Sequence, residues 1–154
     1  MRGSKQMIKL NIERRLLADA VNSLKASFDK EKVLLFLGKK INGDFSVLEI
    51  FTPEQITESD YFHIPEQGME ELMAKLGETR LMLVAQIHTH PKDAFHSWAD
   101  DKWAIVRHEG AFSLVLPYFA SHTTMENFLD EVAVFILNKK NSWTEVDSVN
   151  VKIS

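Results

Sequence analysis

With 154 residues, 45% of them apolar and 26% charged, the chain has the length and balance of one globular domain with a sizeable core. Its formal net charge of -4 includes no basic block, which argues against a nucleic-acid surface, and no apolar stretch is long enough to span a membrane. There is no cysteine, so disulfides, thiolate metal sites and a cysteine nucleophile are excluded; with no signal-peptide core at the amino terminus, a cytoplasmic location is expected.

Met7 to Ile12 alternates loosely and is expected to form a first strand. From Glu13 to Phe28, Leu16, Leu17, Ala20, Val21 and Leu24 recur at helical spacing and predict an amphipathic helix. Val33 to Leu37 reads as a buried strand, Asn42-Gly43-Asp44 as a hairpin turn, and Phe45 to Phe51 as its returning partner. Thr52 to Pro65 is a polar loop holding two prolines, and Glu66 to Leu76 a second helix ending near Gly77. Leu81 to His90 is the central strand. Ser97 is expected to start a short helix running to about His108. Ala111 to Leu116 is a strand stopped by Pro117, Glu131 to Leu137 another, and Trp143 to Ile153 a closing hairpin partner. A mixed sheet flanked by helices, in a single domain over residues 1–154, is the consistent picture.

The chemistry concentrates at the end of the central strand, in His88-Thr89-His90-Pro91 followed by Ser97 and Asp100. Histidines at i and i+2 on a strand point to one face, so both imidazoles can reach one ion. A carboxylate from the next element supplies a third ligand, leaving the fourth position to water as in catalytic zinc sites. Ser97-x-x-Asp100 also has the spacing of a helix capping box. The two readings are compatible, because the cap and the first-turn carboxylate share a face. Asp101 lies about 100° further round the helix, and both aspartates cannot easily face the same ion. Such a site also needs a base, and Glu31, Glu49 and Glu131 all adjoin apolar strands; chemistry alone does not choose among them.

These residues carry a family resemblance. Glu31 followed by Lys32-Val33-Leu34-Leu35-Phe36-Leu37-Gly38 resembles the first-strand signature of the JAMM (JAB1/MPN/Mov34) metalloproteases, in which a catalytic glutamate precedes an apolar strand ending in glycine. His88-Thr89-His90-Pro91 with Ser97-Trp98-Ala99-Asp100 resembles the same family's His-x-His and Ser-x-x-Asp metal motif. Phe112 to Pro117 and Trp143 resemble later landmarks of its free-standing bacterial members. The loop Pro91 to His96 is one residue shorter than the family's. With the shorter loop, Ser97 and Asp100 keep their places; with the family's frame, Trp98 takes the serine position and Asp101 becomes the ligand. The shorter loop is preferred, since tryptophan cannot replace that serine.

The resemblance implies a three-layer α-β-α, cytidine-deaminase-like JAB1/MPN fold with a curved mixed sheet. It implies a zinc ion (Zn2+) held by His88, His90 and Asp100, with Glu31 as general base and Ser97 helping to stabilise the oxyanion. The implied reaction is cleavage of an isopeptide or peptide bond after the C-terminal glycine of a ubiquitin-like protein, with E1- and E2-like proteins as associated partners. The Thr52 to Pro65 loop, with Tyr61 and Phe62, is a candidate wall of the groove that would take the substrate tail. The same chemistry on a sulfur-carrier adduct or small peptide is the nearest alternative, and a metal-free binding scaffold is the alternative of another class. The oligomeric state is not legible.

Overall fold

The apolar repeat after Glu13 becomes helix α1 (Arg14–Lys25), which buries Leu17, Ala20, Val21 and Leu24 against a sheet. The computed structural model describes residues 8–59, 62–93 and 108–154. In chain order the other elements are strand β1 (Leu10–Ile12), β2 (Val33–Ile41), β3 (Asp44–Phe51), β4 (Ile56–Thr57), β5 (Phe62–His63) and helix α2 (Glu66–Thr79). There follow β6 (Met82–Thr89), β7 (Phe112–Leu116), a 3-10 turn (Tyr118–Ala120), helix α3 (Phe128–Glu131), β8 (Ala133–Leu137), β9 (Trp143–Val146), a second 3-10 turn (Ser148–Asn150) and β10 (Val151–Ile153). Among the described residues, eight strands form one mixed sheet in the order β10-β1-β3-β2-β6-β7-β8-β9, and β4 pairs with β5 apart from it.

The sequence pattern accounts for the centre of that sheet. The β2–β3 hairpin turns at Asn42 and Gly43, with φ of 51° and 87°, the double positive φ that a tight two-residue hairpin turn requires. Strand β2 is apolar on both faces because both are covered. Leu34 and Phe36 join the core that contains α1, while Val33, Leu35 and Leu37 pack with Phe62, Ile64 and Leu72 of α2. The two long helices therefore lie on opposite faces of a mixed sheet, as an α+β architecture flanked by helices predicts.

The sheet also has to curl. Strands β9 and β10 sit at its two edges, yet only residues 147–150 separate them. A flat eight-stranded sheet would hold its outer strands roughly 33 Å apart, whereas the chain from Val146 to Val151 spans at most about 18 Å. Closing that gap bends the sheet toward a barrel.

Several boundaries depart from expectation, among them β2, which runs on to Ile41, and the Thr52 to Pro65 loop, which contains β4 and β5. The first strand begins at Leu10. Helix α2 runs through Gly77 to Thr79 and stops where Arg80 turns left-handed with φ of 63°. Glu131 closes α3 instead of opening β8, which starts at Ala133. The Trp143 to Ile153 stretch is not one hairpin partner: β9 pairs antiparallel with β8, and β10 pairs parallel with β1, because Asp147 caps a 3-10 turn that carries the chain from one edge to the other. The expected helix from Ser97 lies outside the described residues. Among the described residues, no helix is long and apolar enough to cross a membrane.

Candidate metal centre at the end of strand β6

Which face the histidines occupy is decided by a bulge. In the pairing of β2 with β6, Phe36 lies opposite Ala85 and Leu37 opposite Leu83, so Val84 is an extra residue. Leu83 packs on the α2 side, whereas Val84, Ala85 and Ile87 pack on the α1 side. One inserted residue reverses the alternation. Gln86 and His88 are thereby directed to the α2 face, opposite Leu35 and Val33, which also face α2.

His88 is fully buried and His90 is 3% exposed. The His88 ring packs 5.5 Å from Phe62 and 5.3 Å from the ring of His90, measured between centroids. Two imidazoles bound through nitrogen to one tetrahedral ion have their centroids about 5.2 Å apart, given metal–nitrogen distances near 2.0–2.1 Å. The ring separation of the pair is compatible with a shared ion. Main-chain bonds hold it: the His90 N–H donates to the Leu116 carbonyl at 2.9 Å, and the His90 carbonyl accepts from the Phe119 N–H at 2.8 Å.

Glu31 reaches the same strand end from the other side. The Thr89 N–H donates to the Lys32 carbonyl, and the Lys32 N–H donates to Thr89 Oγ1, both at 3.2 Å. These bonds continue the contact past the Val33–His88 pair, where the ladder ends, and leave Glu31 as the residue just before it. Its side chain is 3% exposed, unusual for a glutamate. The main chain around it is fixed: the Glu31 N–H donates to the Glu58 carbonyl at 2.7 Å. Gln55 presents its side-chain amide to both the N–H and the carbonyl of Val33, each at 2.9 Å, standing in for a strand that β3 does not supply there.

The other two glutamates are placed differently. Glu49 lies opposite Leu37, well along β2 from this end, and bonds the Lys75 ammonium at 2.7 Å. That hydrogen bond is the main cause of the upward shift in the Lys75 pKa. Glu131 ends α3, separated from β6 by β7. Ser97, Asp100 and Asp101, with Tyr61, His96, Trp98 and Trp103, lie outside the described residues. Among the described residues no three histidine or carboxylate side chains cluster as a metal would require, so the described part of the site is its histidine pair.

One participant, Gln55, escaped the sequence reading, and the structure redefines the place of three other residues. Gln55 sat within an apparently plain polar loop, and neither its residue type nor its spacing marks it as a strand substitute. Phe62 had been singled out as a groove wall and proves to pack on His88. His122, which has no spacing partner, stacks on Tyr118 at 4.9 Å. His108 bonds the Leu83 carbonyl through Nε2 at 2.8 Å and meets the Phe45 ring edge-on, which gives it a structural place away from the pair.

A curled, mixed α+β sheet carries two buried, neighbouring imidazoles at a strand end, residues of a type that metal ions take as ligands. Comparison with known proteins carries this further. No family model matches the chain. A probable metalloprotease of Sinorhizobium fredii (strain NBRC 101917 / NGR234), y4jG, is 36% identical over 123 residues, covering 77% of this chain and 74% of the relative. The chain belongs to the same family as that probable metalloprotease. The solution structure of protein DSY2949 from Desulfitobacterium hafniense superimposes with a TM-score of 0.67 over 94% of this chain and 92% of its own, at 14% identity, a likeness of fold. A metal cofactor follows from the family, and the spacing of His88 and His90 fits one.

Proposed function

We propose that the protein is a zinc-dependent hydrolase of the JAMM type, cleaving an isopeptide or peptide bond after the C-terminal glycine of a ubiquitin-like protein. The observation that carries this reading is the buried Glu31, next to the Lys32–Thr89 contact at the end of β6, together with two buried histidines whose rings lie 5.3 Å apart. The His-x-His and Ser-x-x-Asp motif, the preceding glutamate and the metalloprotease relative support it together.

In this reading His88, His90 and Asp100 hold the ion. When bound, zinc lowers the pKa of a water toward about 7 and polarises the scissile carbonyl. Glu31 accepts the proton of the attacking water and returns it to the departing amine. Its burial suits both steps, because a water-poor setting strengthens each hydrogen bond it makes. Ser97 donates a hydrogen bond to the developing oxyanion. The extended tail of the substrate adds along an exposed strand edge by main-chain bonds, with the Thr52 to Pro65 segment as its wall. E1- and E2-like proteins are the associated partners.

The test is incubation of the purified zinc-loaded protein with candidate ubiquitin-like fusions, wild type beside Glu31→Gln. Wild type is expected to release the tail. The variant is expected to keep its zinc and lose turnover by about 100-fold or more, the scale of a missing general base. A normal rate in Glu31→Gln removes Glu31 from the mechanism. Absence of near-stoichiometric zinc in the wild type removes the catalytic reading altogether.

A further inference from the structure

The chain leaves β7 through a backbone of unusual hand. After Pro117, residues Tyr118, Phe119 and Ala120 have φ of 54°, 52° and 63°, three consecutive residues in the left-handed region without a glycine among them. Residues with a Cβ seldom adopt this conformation, because Cβ crowds the following carbonyl oxygen. A run of three persists only where its surroundings over-determine it, and such departures cluster at functional sites.

The surroundings are the segment that follows β6. The Tyr118 N–H donates to the Lys92 carbonyl at 2.9 Å and the Phe119 N–H to the His90 carbonyl at 2.8 Å. In an extended strand, successive N–H groups point to opposite sides. Consecutive residues folded into a turn can aim them at one neighbour instead. The Tyr118 hydroxyl adds a bond to Asp93 Oδ1 at 3.3 Å. Ala120 is fully buried, and its N–H donates to the Pro117 carbonyl at 2.9 Å, closing the turn on itself. Because the His90 N–H donates to the Leu116 carbonyl, residues 116–119 hold both main-chain groups of His90.

We propose that the left-handed turn Tyr118–Ala120 is a positioning clamp for the metal centre, with Phe119 as its central positioning residue. By holding the His90 carbonyl it sets how the His90 ring meets that of His88 before any ion binds. The proposal rests on the metalloprotease reading. It is separable from it, since the clamp concerns the backbone hand of residues to which the metalloprotease reading gives no part in the chemistry.

The test exploits the fact that residue types differ in tolerance of this backbone. Asparagine enters the left-handed region readily, whereas a β-branched residue is strongly disfavoured there. Phe119→Asn and Phe119→Val are compared with wild type for zinc affinity by chelator competition and for the absorption spectrum of the cobalt(II)-substituted protein. If backbone hand matters, Phe119→Asn stays within about twofold of wild type, while Phe119→Val weakens zinc by about tenfold, the low end of what outer partners of a metal ligand contribute. Its cobalt spectrum shifts as well. If only apolar packing matters, the order reverses. A reversed order, or two variants both indistinguishable from wild type, overturns the clamp while leaving the enzyme reading intact.

Should Phe119→Val not fold, amide exchange in the metal-free wild type decides the matter. Slow exchange at Tyr118 and Phe119 is expected, and fast exchange at either overturns the clamp. A wild-type chain that takes up no zinc overturns the metalloprotease reading and the clamp's purpose together.

Discussion

Gly38 stands where the backbone of β3 approaches β2 closely. A Cβ built on it would lie 1.8 Å from the Ser46 carbonyl oxygen, a backbone atom that cannot swing aside. It also sits at the bulge between Leu37 and Gly38 that resets the pairing of these strands. We expect Gly38→Ala to destabilise the fold by about 3 kcal/mol, or roughly 10 °C in Tm for a chain of this size. A thermal melt within 2 °C of wild type, about 1 kcal/mol or less, would show that the strands part easily here. The glycine that ended the apolar strand was thus visible in the sequence, but its steric reason was not. The same limit divides the site. His88 and His90 were legible because period-two alternation is a local rule. Glu31 was one of three candidates on chemistry alone and was singled out only by the family resemblance; its burial is what the structure adds. Gln55 was illegible because its partner, Val33, is 22 residues away and the contact is made by a side chain imitating a backbone. The third ligand, Asp100 or Asp101, stays an expectation from spacing.

Among the elements, helix α2 shows how a residue preference can mislead. Gly77 looked like a terminator, yet the helix continues for two residues and ends at left-handed Arg80, whose N–H donates to the Leu76 carbonyl. Thr79 then closes the turn, its hydroxyl donating to the Lys75 carbonyl at 2.8 Å and accepting from the Leu81 N–H at 3.2 Å. Tertiary packing by Leu72, Met69 and Leu76 outweighs the glycine's cost. A Cβ on Gly77 would meet nothing within 4 Å. Gly77→Ala is therefore expected to stabilise the protein by about 0.5–1 kcal/mol without altering the site. Chemical denaturation checks the sign, and a destabilised variant would mean that the helix does end at the glycine. Strand β6 was legible in extent to within a residue at each end, but which helix its histidines face was not. An alternating pattern carried straight from Leu83 would have put both histidines on the α1 face, and the bulge at Val84 has no signature in a run of Leu, Val and Ala.

At the scale of the molecule, the central strands and the two covering helices followed from pattern alone, whereas the edges did not. Trp143 to Ile153 looks uniform in sequence, but the sheet divides it between opposite rims. Both rims depend on that division. The Arg14 N–H donates to the Ser154 carbonyl and the Ser154 N–H to the Ile12 carbonyl, so β10 secures β1 and the start of α1. A chain stopped at Asn150 would leave three-residue β1 as an open edge, and self-association is expected. Sedimentation should detect it, and a monomer of unchanged Tm would show β10 to be dispensable. The pairing of Leu10 with Val151 has a further consequence, in time. Contacts that join distant parts of a chain form late, since loop closure must precede their reward. While this protein is being synthesised, β1 has neither β10 nor a finished rim, and that partner emerges from the ribosome 141 residues later. Until then the nascent chain carries an incomplete sheet, the period in which unpaired edges are most exposed to other chains.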